Sequence, residues 1–161
     1  MDESAPTVAL TMRHEIVANT MLVVSGPWPP APEEWNARCR DCATLDYGGV
    51  LVVVDPACPG PSSRQRMELA EAFKSRGCLT NVAVVTDSPA HRGIVTVMNW
   101  MQKGSLKAYG PARFAEALKH AGAAPSARAA IVRRVHELAL QLNAPGIVRA
   151  MALDSALEPP P

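Results

Sequence analysis

The stretch "VVVDPACPGPSSRQRMELAEAF", residues 52–73, decides the fold class of this 161-residue chain. It opens with the end of a continuous apolar run, which is typical of a central strand covered on both faces. A loop rich in proline and glycine follows Asp55. After Ser62 and Ser63, apolar residues recur at helical spacing. The stretch therefore predicts a buried strand joined by a short loop to a helix with a serine cap.

The same alternation of strands and helices extends in both directions. Upstream, "LTMRHEIVANTMLVVSG" predicts a β-hairpin and "EEWNARCRDCATL" predicts a helix. Downstream, "NVAVVTDS" and "LKAYG" predict strands, and a helix is expected after each of them. An N-terminal hairpin followed by alternating helices and strands implies an α/β fold with a mixed, mostly parallel sheet.

Three parts of the chain are distinguished by composition. Residues 1–10 are polar and mixed, and we expect them to be disordered. Residues 11–122 hold the alternating elements and are expected to form one domain. Residues 123–161 contain an extra amphipathic helix, "PSARAAIVRRVHELALQLN", and a flexible Pro-rich tail. This helix is expected either to pack on the domain or to form a homo-oligomer or dock on a partner.

Bulk composition excludes several function classes. The formal net charge is +1 and aromatic residues make up 4%, so neither an electrostatic nor a stacking surface for nucleic acid is expected. No apolar run approaches the roughly 20 residues that span a bilayer. The acidic start of the chain does not resemble a signal peptide, so a cytoplasmic protein with four reduced cysteines is expected.

Cys39 and Cys42 form a Cys-x-x-Cys pair, a spacing found in thiol redox enzymes and in halves of zinc sites. The pair lies inside a predicted helix, on the face of Trp35, and no second pair exists to complete a zinc site. Packing in the core is the favoured interpretation, and a thiol-redox role is kept as an alternative. No metal or other cofactor is expected.

Asp55 lies at the end of a central strand, where receiver domains carry their phosphoacceptor. Magnesium-assisted phosphoryl transfer needs further carboxylates to hold the ion, and the strand "MLVVSGPW" supplies none. Asp55 is therefore predicted to cap the turn that follows it.

Ser62 and Ser63 stand where a serine usually caps a helix. The same position suits a phosphoserine, because the free amides and the helix dipole favour negative charge. Arg64 and Arg66 are close enough in sequence to pair with it. Both serines are therefore candidates for a switch.

The segment after the next predicted strand holds Asp87, Ser88, His91 and Arg92. Either Asp87 or Ser88 is expected to cap a helix, with a proline in its first turn. In open α/β sheets, ligands bind near the carboxyl ends of the strands, where these side chains are expected. No catalytic triad, dinucleotide fingerprint or P-loop can be assigned, so an enzyme is not expected.

The order of the elements and three local stretches, with a fourth that is also similar, give the chain a resemblance to the STAS domain of SpoIIAA-like proteins, the anti-sigma factor antagonists. "MLVVSGP" looks like the family's second strand, "GVLVVVD" like its central strand, and "SSRQRMELAEAF" like the helix that starts with the regulatory serine. "NVAVVTDSPAHRGIVTVM" looks like the next strand and helix. The resemblance covers residues 11–122. The family usually has Asp-Ser-Ser/Thr-Gly before the helix, whereas "PACPGP" intervenes here.

The resemblance implies a non-enzymatic module that switches between protein partners. Ser62 or Ser63 would be the regulatory serine, and the partner an ATPase-fold anti-sigma kinase. Phosphorylation would add about two negative charges and break the interface. An alternative is a small-molecule or lipid-binding domain with a cleft near Trp28, Asp87 and His91. The predicted partner-binding residues are Asp55, Cys58, Arg64, Arg66, Asp87, Ser88, His91 and Arg92.

Overall fold

The computed structural model describes residues 9–78, 80–101 and 105–156. Its sheet has five strands that lie side by side in chain order. The strands are β1 (Met12–Val17), β2 (Thr20–Ser25), β3 (Gly49–Val54), β4 (Val82–Thr86) and β5 (Leu106–Tyr109). The β1–β2 pair is antiparallel and the other three pairs are parallel. The predicted α/β class and mixed, mostly parallel sheet are therefore confirmed.

Helices connect the parallel strands and continue beyond the last one. They are α1 (Pro32–Thr44), α2 (Ser63–Ser75), α3 (Pro89–Met101), α4 (Phe114–His120), α5 (Arg128–Gln141) and α6 (Pro145–Ala156). A short 3-10 turn precedes each of α4 and α5. Among the described residues, no helix is long and apolar enough to cross a membrane.

The sheet is covered on both faces, which explains its continuous apolar strands. Alternate residues of β3 point into two separate cores: Leu51 and Val53 into one, Val50 and Val52 into the other. The first core is closed by residues of α4, α5 and α6. The second is closed by residues of α1, α2 and α3. The candidate functional site lies on this second side.

The turn of the predicted hairpin is formed by Ala18 and Asn19. Ala18 and Asn19 have φ angles of 46° and 63°, and Thr20 is the first residue of β2. Two left-handed residues give a turn whose twist matches the strands that it joins. Asn tolerates this conformation, whereas Ala18 adopts it against its intrinsic preference.

The C-terminal region departs from the sequence-based expectation. One helix and a flexible tail were expected after residue 122, but two helices are present. The predicted apolar stripe of α5 is buried against the sheet, so this helix packs on the domain. The second helix, α6, buries Ile147 and Met151 in the same core and reaches into the segment expected to be a tail. The expected disorder of residues 1–8 and of 157–161 lies outside the described residues.

Candidate functional site

A cavity of about 160 Å³ lies between the sheet and the helices α1, α2 and α3. Its floor is formed mainly by apolar residues of the strands, and its walls by the helices and the loop after β3. An engineered cavity of about 150 Å³ accommodates benzene, so the space suits a small molecule of similar size. The apolar lining consists of Pro30, Trp35, Val52, Val54, Pro59, Pro61, Leu69, Ala70, Phe73, Val82, Val84, Ile94, Val95 and Leu106.

The start of α2 is held in place by a set of hydrogen bonds. Ser62 is the N-cap, and its Oγ accepts from the amide of Gln65 at 3.2 Å while Gln65 Oε1 accepts from the amide of Ser62 at 2.9 Å. The same glutamine donates through Nε2 to the carbonyl of Pro30. Trp35 Nε1 donates to the carbonyl of Gln65 at 3.2 Å. The capping box and the two hydrogen bonds to Pro30 and Trp35 hold α2 against the Pro-rich loop and α1, and so fix one wall of the cavity.

Arg38 of α1 is the most unusual residue in the cavity wall. It exposes only 5% of its surface, and its Nε has no hydrogen-bond partner in the described part of the chain. Its guanidinium lies 5.0 Å from the centre of the Trp35 ring. Burial lowers the pKa of Arg38, with the opposing influence of the nearby Cys42 and Cys39 second. A guanidinium nevertheless keeps its charge at neutral pH.

The thiols beside Arg38 do not neutralise it. Burial raises the pKa of both Cys39 and Cys42, so each is mainly a neutral thiol at pH 7. Within the described residues, no carboxylate forms an ion pair with Arg38. The cavity wall therefore carries a positive charge without an anion next to it.

Two further basic side chains line the cavity. Arg66 donates to the carbonyl of Pro61 and to Ser63 Oγ, both at 3.0 Å. The Nδ1 atom of His91 is buried and has no partner among the described residues. No aspartate or glutamate occurs among the described residues of the lining. The wall thus offers hydrogen-bond donors and positive charge, but no negative charge.

The helix that carries His91 is capped by Ser88, whose Oγ accepts from the amide of His91 at 3.3 Å. Of the two possible caps, the structure therefore shows Ser88. Asp87 is exposed, and Arg92 donates to the carbonyl of Thr86 at 2.9 Å. Of the four residues predicted after β4, only His91 lines the cavity.

Asp55 has an internal role. It exposes 2% of its surface, and its Oδ1 accepts from the amide of Ala57 at 2.9 Å, as expected of a residue that caps a turn. Its Oδ2 accepts from the amide of Gly146 at the start of α6. Cys58 is equally buried, and its amide donates to the carbonyl of Asp55 at 2.9 Å. Both residues are buried, and Cys58 also lines the cavity, so their predicted role in partner binding stays a prediction.

The switch candidates do lie at the surface. Ser62, Ser63 and Arg64 are all exposed at the start of α2. Arg64 Nε lies 3.0 Å from Glu68 Oε1. Arg66 is half-buried and links this surface to the cavity, because it contacts Ser63 and also lines the space below.

The Cys-x-x-Cys pair lies in the body of α1. Cys42 is buried, with its Sγ 3.3 Å from the Sδ of Met21, and Cys39 is half-buried. Redox thiols need a lowered pKa, which a helix N-terminus or a neighbouring cation provides. Here burial raises the pKa of both thiols despite the nearby Arg38, so packing is favoured. Across the described residues, no group of three His, Cys, Asp or Glu side chains could hold a metal ion.

Arg38 was not among the site residues predicted from the sequence, although one signal for it was present. Trp35, Arg38 and Cys42 are spaced three and four residues apart, so they share one helix face. An arginine on the apolar stripe of a helix indicates either a buried ion pair or a binding site. Trp28, which was expected near a ligand cleft, is 56% exposed and does not belong to the cavity lining.

No protein-family model, no curated protein and no solved structure matches this chain. The resemblance to STAS domains therefore remains a prediction from element order and from four local stretches.

Proposed function

We propose that this protein is a non-enzymatic binding module that takes up a small, mainly apolar molecule between the sheet and α2 and α3. The observation that carries the proposal is the cavity of about 160 Å³. Native interiors are close-packed, with few voids larger than a water molecule. Because the lining is mainly apolar, a ligand of matching size would bury apolar surface there and gain free energy from its removal from water.

The cavity is accessible from the surface between two helices. Its lining includes Ala70 of α2 and Ile94 of α3, and both are exposed. Ile94 exposes 50% of its surface although it also lines the cavity. A molecule that enters here reaches the apolar floor formed by Val52 and Val84.

Thermal unfolding with toluene tests this proposal. At ten times its Kd, a ligand that binds only the folded state raises the Tm of a domain of this size by roughly 3–6 °C. We expect this shift for the wild type and expect it to be lost in Val84→Phe, which places extra volume in the cavity. Met67→Phe is the matched control, because Met67 is 70% exposed and lies outside the lining. The absence of any shift in the wild type would contradict the proposal.

A second candidate is a partner switch of the anti-sigma antagonist type, favoured by the contact between Arg66 and Ser63. A phosphate on the exposed Ser63 would be next to a guanidinium that already donates to its oxygen. The same guanidinium lines the cavity, so ligand and modification would act on one side chain.

Affinity capture from the native lysate tests the switch. We expect the wild type to retain an ATPase-fold kinase and the Ser62→Asp/Ser63→Asp variant to lose it. Equal recovery by both proteins, or recovery by neither, would leave ligand binding as the function.

A further inference from the structure

The position of Arg38 indicates what kind of molecule the cavity accepts. The residue exposes only 5% of its surface, lines the cavity, and leaves its Nε without a partner among the described residues. A buried charge without a counter-ion is strongly unfavourable, and proteins normally pair it. Arg38 has a hydrogen bond with the Cys42 thiol, but the described chain provides no carboxylate to pair with its charge, so an anion that binds in the cavity would supply the counter-ion.

The other polar residues of the cavity wall also favour a negatively charged ligand. Arg66 adds a second guanidinium, the buried Nδ1 of His91 has no partner among the described residues, and the described lining contains no acidic residue that would repel an anion. The rest of the cavity lining is mainly apolar and would contact a hydrocarbon part of the ligand. The ligand therefore combines one anionic group with an apolar part.

We propose that the cavity binds a monocarboxylate of about the size of benzoate, with its carboxylate on Arg38 and its apolar body over the strands β3 and β4. This inference rests on the proposed function and specifies its ligand class.

A carboxylate fits better than a phosphate. The planar guanidinium fork matches the two oxygens of a carboxylate. A phosphate monoester presents three oxygens and up to two charges, and so needs more donors. Arg66 uses two of its five N–H donors on Pro61 and Ser63, whereas the Nε of Arg38 has no partner among the described residues, so we assign Arg38 as the main contact of the anion.

NMR chemical-shift titrations with four matched aromatic probes test the inference. The probes are toluene, benzoate, benzamide and phenyl phosphate. We expect benzoate to bind the wild type at least about tenfold more tightly than benzamide, because charge-assisted hydrogen bonds are stronger than neutral ones. Phenyl phosphate is expected to bind more weakly than benzoate.

Variants identify the residue responsible. Arg38→Met is expected to abolish the preference for benzoate over benzamide and to retain toluene. Arg64→Met removes an exposed arginine outside the cavity and is expected to behave like the wild type. If Arg38→Met does not fold, Arg38→Gln serves instead, and the comparison of probes on the wild type remains decisive.

The outcomes separate the two proposals. Toluene binding without a preference for benzoate would overturn the carboxylate assignment and leave the cavity as a binding site. A preference that persists in Arg38→Met, or tighter binding of phenyl phosphate, would also overturn it. If no probe binds, both proposals fail.

Discussion

The carboxylate of Asp55 accepts a 3.0 Å hydrogen bond from the amide of Gly146, which lies 91 residues later in the chain. This bond ties the end of the central strand to the first turn of α6, where a negative charge is favoured by the helix dipole. The contact leaves no space for a side chain. A Cβ on Gly146 would lie 2.6 Å from Pro56 Cδ and 2.9 Å from Asp55 Oδ2.

We therefore expect Gly146→Ala to destabilise the fold, although alanine normally stabilises a helix relative to glycine. The expected loss in the free energy of unfolding is about 1–3 kcal/mol, the range for an overpacked site. Gly93→Ala in α3 is the matched control, because nothing lies within 4 Å of the added Cβ. This control is expected to gain up to about 1 kcal/mol. Urea unfolding of both variants measures their free energies of unfolding. Equal changes in the two variants would show that Gly146 is not in close contact with Asp55 and Pro56.

Replacing each of the two serines at the start of α2 is expected to lower the free energy of unfolding by a different amount. Ser62→Ala removes the oxygen that accepts from the amide of Gln65, and should cost about 1 kcal/mol. Ser63→Ala removes only an exposed contact with Arg66, and should change stability by less than about 0.5 kcal/mol. Chemical unfolding of the two single variants checks this order. A larger loss for Ser63→Ala would mean that the cap is assigned to the wrong serine.

The four thiols are expected to react at different rates. Burial raises the pKa of Cys39, Cys42 and Cys58, so at pH 8 these groups hold less of the reactive thiolate and gain reactivity only as the pH rises further. Cys78 is exposed. Peptide mass spectrometry after brief iodoacetamide treatment should show Cys78 alkylated first, and all four after unfolding in guanidinium. Fastest reaction at Cys39 or Cys42 would instead support the thiol-redox alternative.

Most of the fold follows from local sequence patterns. Helix α6, the unpaired charge of Arg38 and the cavity do not. Periodicity and turn residues are sufficient for the hairpin, the parallel strands and the stripe of α5. Helix α6 was missed because its N-terminal anchor, Asp55, is far away in sequence. The spacing of Arg38 from Trp35 was visible in the sequence, but the missing counter-ion was not. The cavity depends on how three helices pack on one sheet, and no local pattern encodes that.

Replacing Arg38 should stabilise the ligand-free protein. Arg38→Met removes a buried, uncompensated charge and keeps a similar apolar volume, while it loses the contact with the Trp35 ring. We expect a net gain of about 1–3 kcal/mol in the free energy of unfolding. The exposed control Arg64→Met should change it by less than about 0.5 kcal/mol. A loss of about 3 kcal/mol or more, as when one member of a buried ion pair is removed, would mean that Arg38 has a structural partner.

The most direct measurement of ligand binding is intermolecular nuclear Overhauser effects between bound toluene and the methyl groups of the protein. Neighbouring residues of β4 provide an internal control, because Val84 lines the cavity and Val85 belongs to the opposite core. We predict contacts from toluene to the methyl groups of Val84 and Leu106, and none to Val85. Contacts only to Val85, or no contacts at saturating toluene, would contradict binding in this cavity.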